Sequence, residues 1–176
     1  MEEISENYQH IWTASGLKKA AKKTQSKNTA SAALLPAGLK KSSFPEFIAP
    51  QLATLVNKPP EGNQWLHEIK FDGYRILAFK KDKVITLKSR NNNEWTESFD
   101  AIAQALQMVP AKNAVFDGEI VILDKQGKSD FQLLQNSLKA NTHPPFIYYL
   151  FDLLYFDSYD LRALKLVERK SILKIA

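Results

Sequence analysis

The feature that most constrains the fold is a series of short apolar segments, each about as long as a β-strand and separated from the next by polar residues. Apolar and aromatic residues at alternate positions are typical of strands, and the Lys-Lys-Asp-Lys tetrapeptide between the second and third segments predicts a hairpin. The last segment is a nearly continuous apolar run interrupted by Asp152, which is typical of a strand covered on both faces. The segments are WLHEI (65–69), YRILAF (74–79), VITLKS (84–89), AVFDGEIVILD (114–124) and FIYYLFDLLYF (146–156).

Three further segments have helical character. In FDAIAQALQMV (99–109) the apolar residues recur at helical spacing and share one face. SDFQLLQNSL (129–138) begins with Ser129, a residue type that favours the N-cap position, and LVERKSILKIA (166–176) begins another helix. Because strands dominate and short helices intervene, we predict an α+β fold with largely antiparallel sheets and short helices.

The first 45 residues differ from the rest in charge and composition. They carry seven lysines and three glutamates, a net +4 of the +5 on the whole 176-residue chain. Their Lys-, Ala-, Ser- and Thr-rich sequence predicts a basic flexible linker over 1–43, with a short fraying helix at 17–24, followed by one folded domain over 44–176. Such a tail favours contact with phosphate backbones, although a solvated linker explains the lysines equally well.

Composition excludes several classes of protein. The chain has no cysteine, which excludes a disulfide framework and a thiolate metal site. No stretch approaches the roughly 18 apolar residues of a membrane-spanning helix, and no secretory signal is visible in MEEISENYQH. We therefore expect a protein of the reducing cytosol that has no membrane partner.

The segment IKFDGYR contains the first residues that could take part in a chemical reaction. Asp-Gly is a turn signal, because glycine adopts backbone conformations closed to other residues, so Lys70 is expected at a strand end beside a turn at Gly73. A lysine amine becomes a nucleophile when burial or nearby cations lower its pKa from about 10.4 toward neutrality. With Arg75 it could hold a polyphosphate and attack the α-phosphate. The alternative is a hairpin with an exposed lysine and a buried-edge arginine.

Three further residues have both a chemical and a purely structural interpretation. Glu119 lies in the apolar run FDGEIV, where a carboxylate needs a partner such as a metal ion or a ribose hydroxyl, or else faces solvent on an edge strand. Arg90 follows the second strand of the hairpin and is either a phosphate ligand or an ordinary strand-end cation. Phe151 is most simply a core residue, but its ring could also stack on a flat base.

These pieces, taken in chain order, resemble the nucleotidyltransferase motifs of ATP-dependent DNA ligases. The resemblance covers residues 45–176 and implies the adenylation domain of the ATP-grasp-like DNA ligase type. Each motif is weak by itself, whereas four of them in order at plausible spacing are specific. The motifs are KFDGYR (70–75), SRN (89–91), DGE (117–119) and FDLLY (151–155), and the flanks PEFIAPQLATLV and LRALKLVERK are similar to the bacterial end-joining type, ligase D.

The resemblance implies a covalent reaction with ATP. Lys70 would attack the α-phosphate and carry AMP, and Glu119 would bind the ribose or help to place Mg²⁺ or Mn²⁺. The AMP would then pass to a 5′ phosphate at a break in double-stranded DNA, and a 3′ hydroxyl would displace it. The chain would thus act in DNA repair, recombination and non-homologous end joining.

The remaining roles that the resemblance implies concern nucleotide binding. Glu68 and the backbone of Ile69 would contact the adenine, on which Phe151 would stack. Arg75 and Arg90 would reach the ribose and the phosphates.

The resemblance also implies that later parts of the family pattern are missing. Two further motifs and an oligonucleotide-binding barrel would follow Ala176, so we expect an N-terminal part of the adenylation domain that is inactive alone in full ligation. Expected partners are nicked or broken double-stranded DNA, a DNA-end-binding protein and fused phosphoesterase or polymerase domains, at the nucleoid in a bacterial cytoplasm.

Two other functions are compatible with the same residues. An RNA ligase or an RNA-capping guanylyltransferase shares the lysine and the turn, and would differ in its choice of nucleotide or nucleic acid. A non-catalytic nucleic-acid-binding fragment would use the basic tail to hold DNA and would transfer nothing.

Overall fold

The computed structural model describes residues 11–13, 35–36, 38–140, 142 and 144–176. The helix predicted at 17–24 and most of the predicted linker lie outside the described residues. The described part contains six strands and three helices. They are β1 (Ile11–Thr13), β2 (Tyr74–Lys81), β3 (Val84–Ser89), α1 (Asp100–Gln107), β4 (Asn113–Val121), α2 (Phe131–Lys139), β5 (Ile147–Phe156), β6 (Tyr159–Asp160) and α3 (Leu166–Leu173).

The six strands form one antiparallel sheet, which confirms the predicted α+β class. Its order is β1-β5-β4-β2-β3, and β6 pairs with β5. The predicted hairpin is present as β2 and β3, with strand pairing that extends to Lys81 and Val84. Asp82 between them has a φ of 54°, a left-handed conformation that aspartate tolerates in tight turns.

Helices and the loop before the first motif cover opposite faces of the sheet. On one face, α1 packs its predicted apolar stripe, including Phe99, Ile102 and Leu106, in the larger core cluster. On the other face, Phe44 and Phe47 pack against a smaller cluster around Leu77, which lies near one end of the strands. The opposite end of this second face is left for polar side chains, which form the candidate site.

Some described residues of the predicted linker contact the domain. β1 pairs with β5 through Ile11 opposite Tyr149, a pairing that the lysine-rich sequence does not predict. Nearer the domain, Lys41 forms a bridge with Tyr159, and the Ser42 N–H donates to the Ser158 carbonyl at 2.8 Å. The domain boundary at residue 44 stays a prediction.

Two local predictions are wrong. WLHEI is not a strand, because among the described residues no strand offers it backbone partners, and Trp65, Leu66 and Ile69 are each about half exposed. Ser129 does not cap α2. Asp130 is the N-cap residue, and its carboxylate accepts the Leu133 N–H at 2.8 Å.

Candidate active site

Three polar residues of the motifs lie together on the second face of the sheet. Arg75 in β2 is directly opposite Glu119 in β4, and Asp117 lies two residues earlier in β4 on the same face. β4 is a central strand, paired with β2 on one side and β5 on the other. The edge-strand alternative for Glu119 is therefore wrong.

Arg75 is held by a carboxylate that the motif comparison did not single out. Its guanidinium donates two hydrogen bonds to Asp117, at 3.0 Å and 2.7 Å, and the Asp117 side chain is only 3% exposed. Burial raises the pKa of Asp117 although Arg75 opposes the shift, and the hydrogen bond to Asp117 raises the pKa of Arg75. The guanidinium also lies 5.5 Å from the centre of the Phe151 ring. Arg75 is thus fixed in orientation, with three N–H donors left for another ligand.

Glu119 is a carboxylate in an unfavourable environment. Burial raises its pKa from 4.5 to about 7. The Gly73 backbone and the charges of Arg75 and Lys70 oppose the shift without cancelling it. A bound cation or a hydroxyl donor would relieve this cost.

We expect Glu119→Gln to stabilise the chain at alkaline pH when divalent cations are absent. A raised folded pKa means that the native state binds more protons than the unfolded state between about pH 4.5 and 7, so the wild type loses stability as the pH rises through that window. Glutamine removes this loss because its side chain is neutral at both pH values. The measurement is urea unfolding at pH 5 and pH 8 in the presence of a chelator.

The stability gain of Glu119→Gln over the wild type should be larger at pH 8 than at pH 5. Glu97→Gln, at an exposed position, is the matched control and should show no such difference. Equal effects of Glu119→Gln at both pH values would contradict the raised pKa.

The segment that carries Lys70 contacts the rest of the domain at two successive residues. The Phe71 ring stacks on Tyr149 of β5, with ring centres 4.1 Å apart and an interplanar angle of 7°. The Asp72 N–H donates to Ser129 Oγ at 3.0 Å. Ser129 therefore supports the motif instead of capping a helix.

Lys70 itself is presented to solvent. Its side chain is 89% exposed, and its Nζ is 4.0 Å from Asp72 Oδ1. The prediction of a strand end is wrong because residues 65–73 form no strand, and the burial expected to activate the amine is not found.

Glycine is required at position 73 for a different reason from the one predicted. Its φ does not lie in the left-handed region, so conformational freedom is not what the position needs. A Cβ there would lie 2.2 Å from the Ile120 carbonyl oxygen of β4. The close approach of the two backbones permits no side chain, and it brings the Gly73 backbone beside the strand that carries Glu119.

The remaining predicted residues lie around this centre. Phe151 is partly exposed, with its ring beside Arg75, so the core interpretation of its side chain is wrong. Glu68 pairs with Lys170 of α3, and the neighbouring Ile69 is 53% exposed. Arg90 follows β3 in an exposed turn. Since Ser89 lies opposite Ile76, Arg90 is level with Arg75 at the same end of the sheet, but the two do not touch.

Comparison with known proteins decides the family. The model of the family described as "ATP dependent DNA ligase domain" matches residues 48–176. The chain belongs to the ATP-dependent DNA ligase family. This confirms the resemblance in the motifs, and the members of this family are enzymes.

Several relatives of this ligase-family chain are multifunctional proteins. The "Multifunctional non-homologous end joining protein LigD" of Pseudomonas aeruginosa is 41% identical over 134 residues, which are 76% of this chain and 16% of that protein. The "SPbeta prophage-derived DNA ligase-like protein LigB" of Bacillus subtilis is 30% identical over 128 residues, 72% of this chain and 46% of the relative. The chain thus spans less than half the length of each.

Solved structures share the fold. The ligase domain of Mycobacterium tuberculosis LigD has a TM-score of 0.55 at 30% identity, covering 61% of this chain and 35% of that one. A mycobacterial DNA ligase D complexed with ATP and MES has a TM-score of 0.52 at 28% identity, with the same coverage. The adenylation-domain fold of DNA ligases is therefore confirmed for this chain.

Three residues of this ligase-family site escaped the sequence interpretation. Asp117 carries a detectable signal, because an acid between Phe116 and Gly118 in a buried run needs a partner. Lys170 and Tyr149 carry none, since a lysine on a polar helix and a tyrosine in an apolar strand are ordinary. Their roles depend on contacts with Glu68 and Phe71, far away in the chain.

The donor set fits a divalent cation only if the nucleotide helps to hold it. In the described part of the chain no group of three His, Cys, Asp or Glu side chains could bind a metal. Asp117 is already paired with Arg75. Glu119 is therefore the carboxylate of the site whose negative charge a bound cation would stabilise. Mg²⁺ is commonly bound by one or two carboxylates together with substrate phosphates, so this arrangement fits it.

None of the described helices is long and apolar enough to cross a membrane.

Proposed function

We propose that this chain carries out the adenylation step of an ATP-dependent DNA ligase. Lys70 Nζ, once deprotonated, attacks the α-phosphate of ATP. A nitrogen–phosphorus bond forms, the bond to the bridging oxygen breaks, and pyrophosphate leaves with that oxygen. The observation that carries the proposal is the fixed placement of the segment 70–73 against the sheet beside Arg75 and Glu119.

The polar end of the sheet supports a nucleotide in a defined orientation. Phe151 offers a ring face for the adenine, and Glu68 with the backbone of Ile69 offers polar groups for the edge of the base. Arg75, held by Asp117, presents its remaining donors to the ribose and phosphates, and Arg90 approaches from the adjacent turn.

Glu119 would bind the ribose or share a Mg²⁺ or Mn²⁺ ion with the phosphates. When bound, the cation supplies positive charge for the phosphate oxygens in the transition state. Glu119 contributes a carboxylate whose negative charge is poorly stabilised by the protein alone, which favours cation binding.

We extend the proposal to the whole reaction and its setting. AMP passes from Lys70 to the 5′ phosphate of nicked or broken double-stranded DNA, and a 3′ hydroxyl displaces it. The relatives named as end-joining proteins favour repair of DNA breaks, with a DNA-end-binding protein and fused phosphoesterase or polymerase domains as partners. The basic linker over 1–43 would contact DNA phosphates, and the setting would be the nucleoid in the cytoplasm.

The test is covalent labelling with ATP that carries a labelled α-phosphate. The chain is mixed with labelled ATP and Mg²⁺, and a band that survives a denaturing gel is expected, which Lys70→Ala abolishes. GTP labelling in place of ATP would favour a capping-type enzyme. Retention on DNA without any label would favour the binding fragment. Either result would contradict the proposal.

A further inference from the structure

Phe151 is the extra residue of a β-bulge in β5. Asp117 of β4 pairs with Asp152, and the next residue, Gly118, pairs with Leu150, so Phe151 has no partner on β4. A bulge re-aims the side chain of the extra residue and leaves its backbone groups outside the ladder. The Phe151 carbonyl oxygen instead accepts a hydrogen bond from Lys170 Nζ at 2.7 Å. Lys170 of α3 therefore contacts the backbone of the strand irregularity that carries the Phe151 ring.

The residue before Lys170 fixes α3 to the same part of β5. Arg169 donates two hydrogen bonds of 2.8 Å to the Asp152 carboxylate and one of 2.7 Å to the Leu164 carbonyl oxygen. Both side chains of the Arg169–Asp152 pair are almost fully buried. Because this pair already holds α3 in place, Lys170 is not needed to dock the helix and is available for another role.

The second contact of Lys170 reaches the segment before the nucleophile. Its ammonium forms an ion pair with Glu68 Oε1, two residues before Lys70. The stretch 65–69 has no strand partner among the described residues. Lys170 is the side chain that connects Glu68 to the body of the domain in that part of the structure.

We propose that Lys170 is a positioning residue of the base site, which holds Glu68 and Phe151 at a fixed separation and thereby selects a 6-aminopurine. This inference rests on the proposed function. One ammonium group engages Glu68 Oε1 and the Phe151 carbonyl oxygen together, which links the carboxylate to the residue that carries the ring.

The chemistry of the free carboxylate oxygen supplies the selectivity. With Oε1 engaged by Lys170, Glu68 Oε2 can accept a hydrogen bond from an amino group at the edge of a purine. A 6-oxopurine presents an acceptor at that place, and two acceptors facing each other repel. Without Lys170, Glu68 would rotate freely and the discrimination would weaken.

The test compares Lys170→Met, which keeps the length of the side chain without its charge, with Lys170→Arg. Lys174→Met, exposed one turn further along, is the matched control. For Lys170→Met we expect the ATP concentration for half-maximal labelling to rise at least about tenfold, with the rate at saturating ATP within about threefold of wild type. The preference for ATP over inosine triphosphate should fall, and Lys170→Arg should restore most of both properties.

A second measurement needs no nucleotide chemistry. Trypsin cleavage after Lys70, followed by mass spectrometry, should be faster in Lys170→Met than in wild type, because Glu68 is released. Unchanged cleavage would overturn the tether, and faster cleavage with unchanged ATP half-saturation and selectivity would overturn the positioning role. If the wild type takes no label at all, the base-positioning role falls with the proposed function, whereas the trypsin rates still decide on the tether.

Discussion

Lys70→Arg should abolish formation of the covalent AMP adduct, a loss of at least about 1000-fold in the labelling rate. Arginine keeps the positive charge but does not give up its proton in proteins, so it cannot act as a nucleophile. ATP binding should survive, because Arg75, Glu119 and Phe151 are untouched. The measurements are gel labelling with α-labelled ATP and a nucleotide-binding titration on the same variant.

The stability of Lys70→Arg should equal that of the wild type. The side chain is 89% exposed, and its carboxylate neighbour is 4.0 Å away, a weak surface contact. Lys83→Arg, in the exposed hairpin turn, is the matched control and should label normally. Residual labelling of Lys70→Arg would show that another residue is the nucleophile.

Arg75→Ala should lower the free energy of unfolding by about 2–4 kcal/mol at pH 8, because it leaves Asp117 buried without its cation. The Asp117 side chain is 3% exposed and its pKa is already raised by burial, so removal of Arg75 would raise that pKa further. When the pKa of a buried acid is raised in the native state, the native state loses stability as the pH rises toward that pKa. The difference in unfolding free energy between Arg75→Ala and the wild type should therefore be smaller at pH 5 than at pH 8. Adenylation should also be lost, since the phosphates lose a fixed donor.

The chain provides a matched control for Arg75→Ala. Arg162 forms a similar two-pronged pair with Asp160, but the Arg162 side chain is 55% exposed. Arg162→Ala should therefore cost at most about 1 kcal/mol. Urea unfolding of both variants at pH 5 and pH 8 distinguishes the loss of a buried ion pair from the loss of an exposed one. If Arg75→Ala lowers the unfolding free energy no more than Arg162→Ala does, or by the same amount at both pH values, Asp117 is not left buried and charged as we expect.

Elements with strong local patterns were predictable from the sequence. The β2–β3 hairpin and the helix α1 were predictable from side-chain periodicity, and β5 was predictable from a nearly continuous apolar run of strand length. The motifs in family order named Arg75, Glu119 and Phe151, which the structure brings to one end of the sheet, and the roles of these residues stay predictions. What each residue touches was much less predictable.

The failures come from partners that are distant in the chain. WLHEI has the alternation of a strand, but pairing depends on whether another strand lies beside it. Arg75 meets Asp117 across 42 residues, and Lys170 meets Glu68 across 102. Gly73 was expected to serve a turn, whereas its role depends on contact with Ile120 of another strand. No local pattern carries this information.

The position of β4 at the centre of the sheet affects how fast the backbone amides around the candidate site exchange with solvent. Its amide hydrogens are shared with β2 and β5 along its length, so they should exchange with solvent only when much of the domain unfolds. The stretch 65–70 has no strand pairing in the described structure and should exchange within seconds. Amides of the strand below the candidate site should therefore exchange slowly, and those of the segment that carries Lys70 should exchange rapidly. Hydrogen exchange recorded with and without ATP would show whether a bound nucleotide slows exchange in that segment alone.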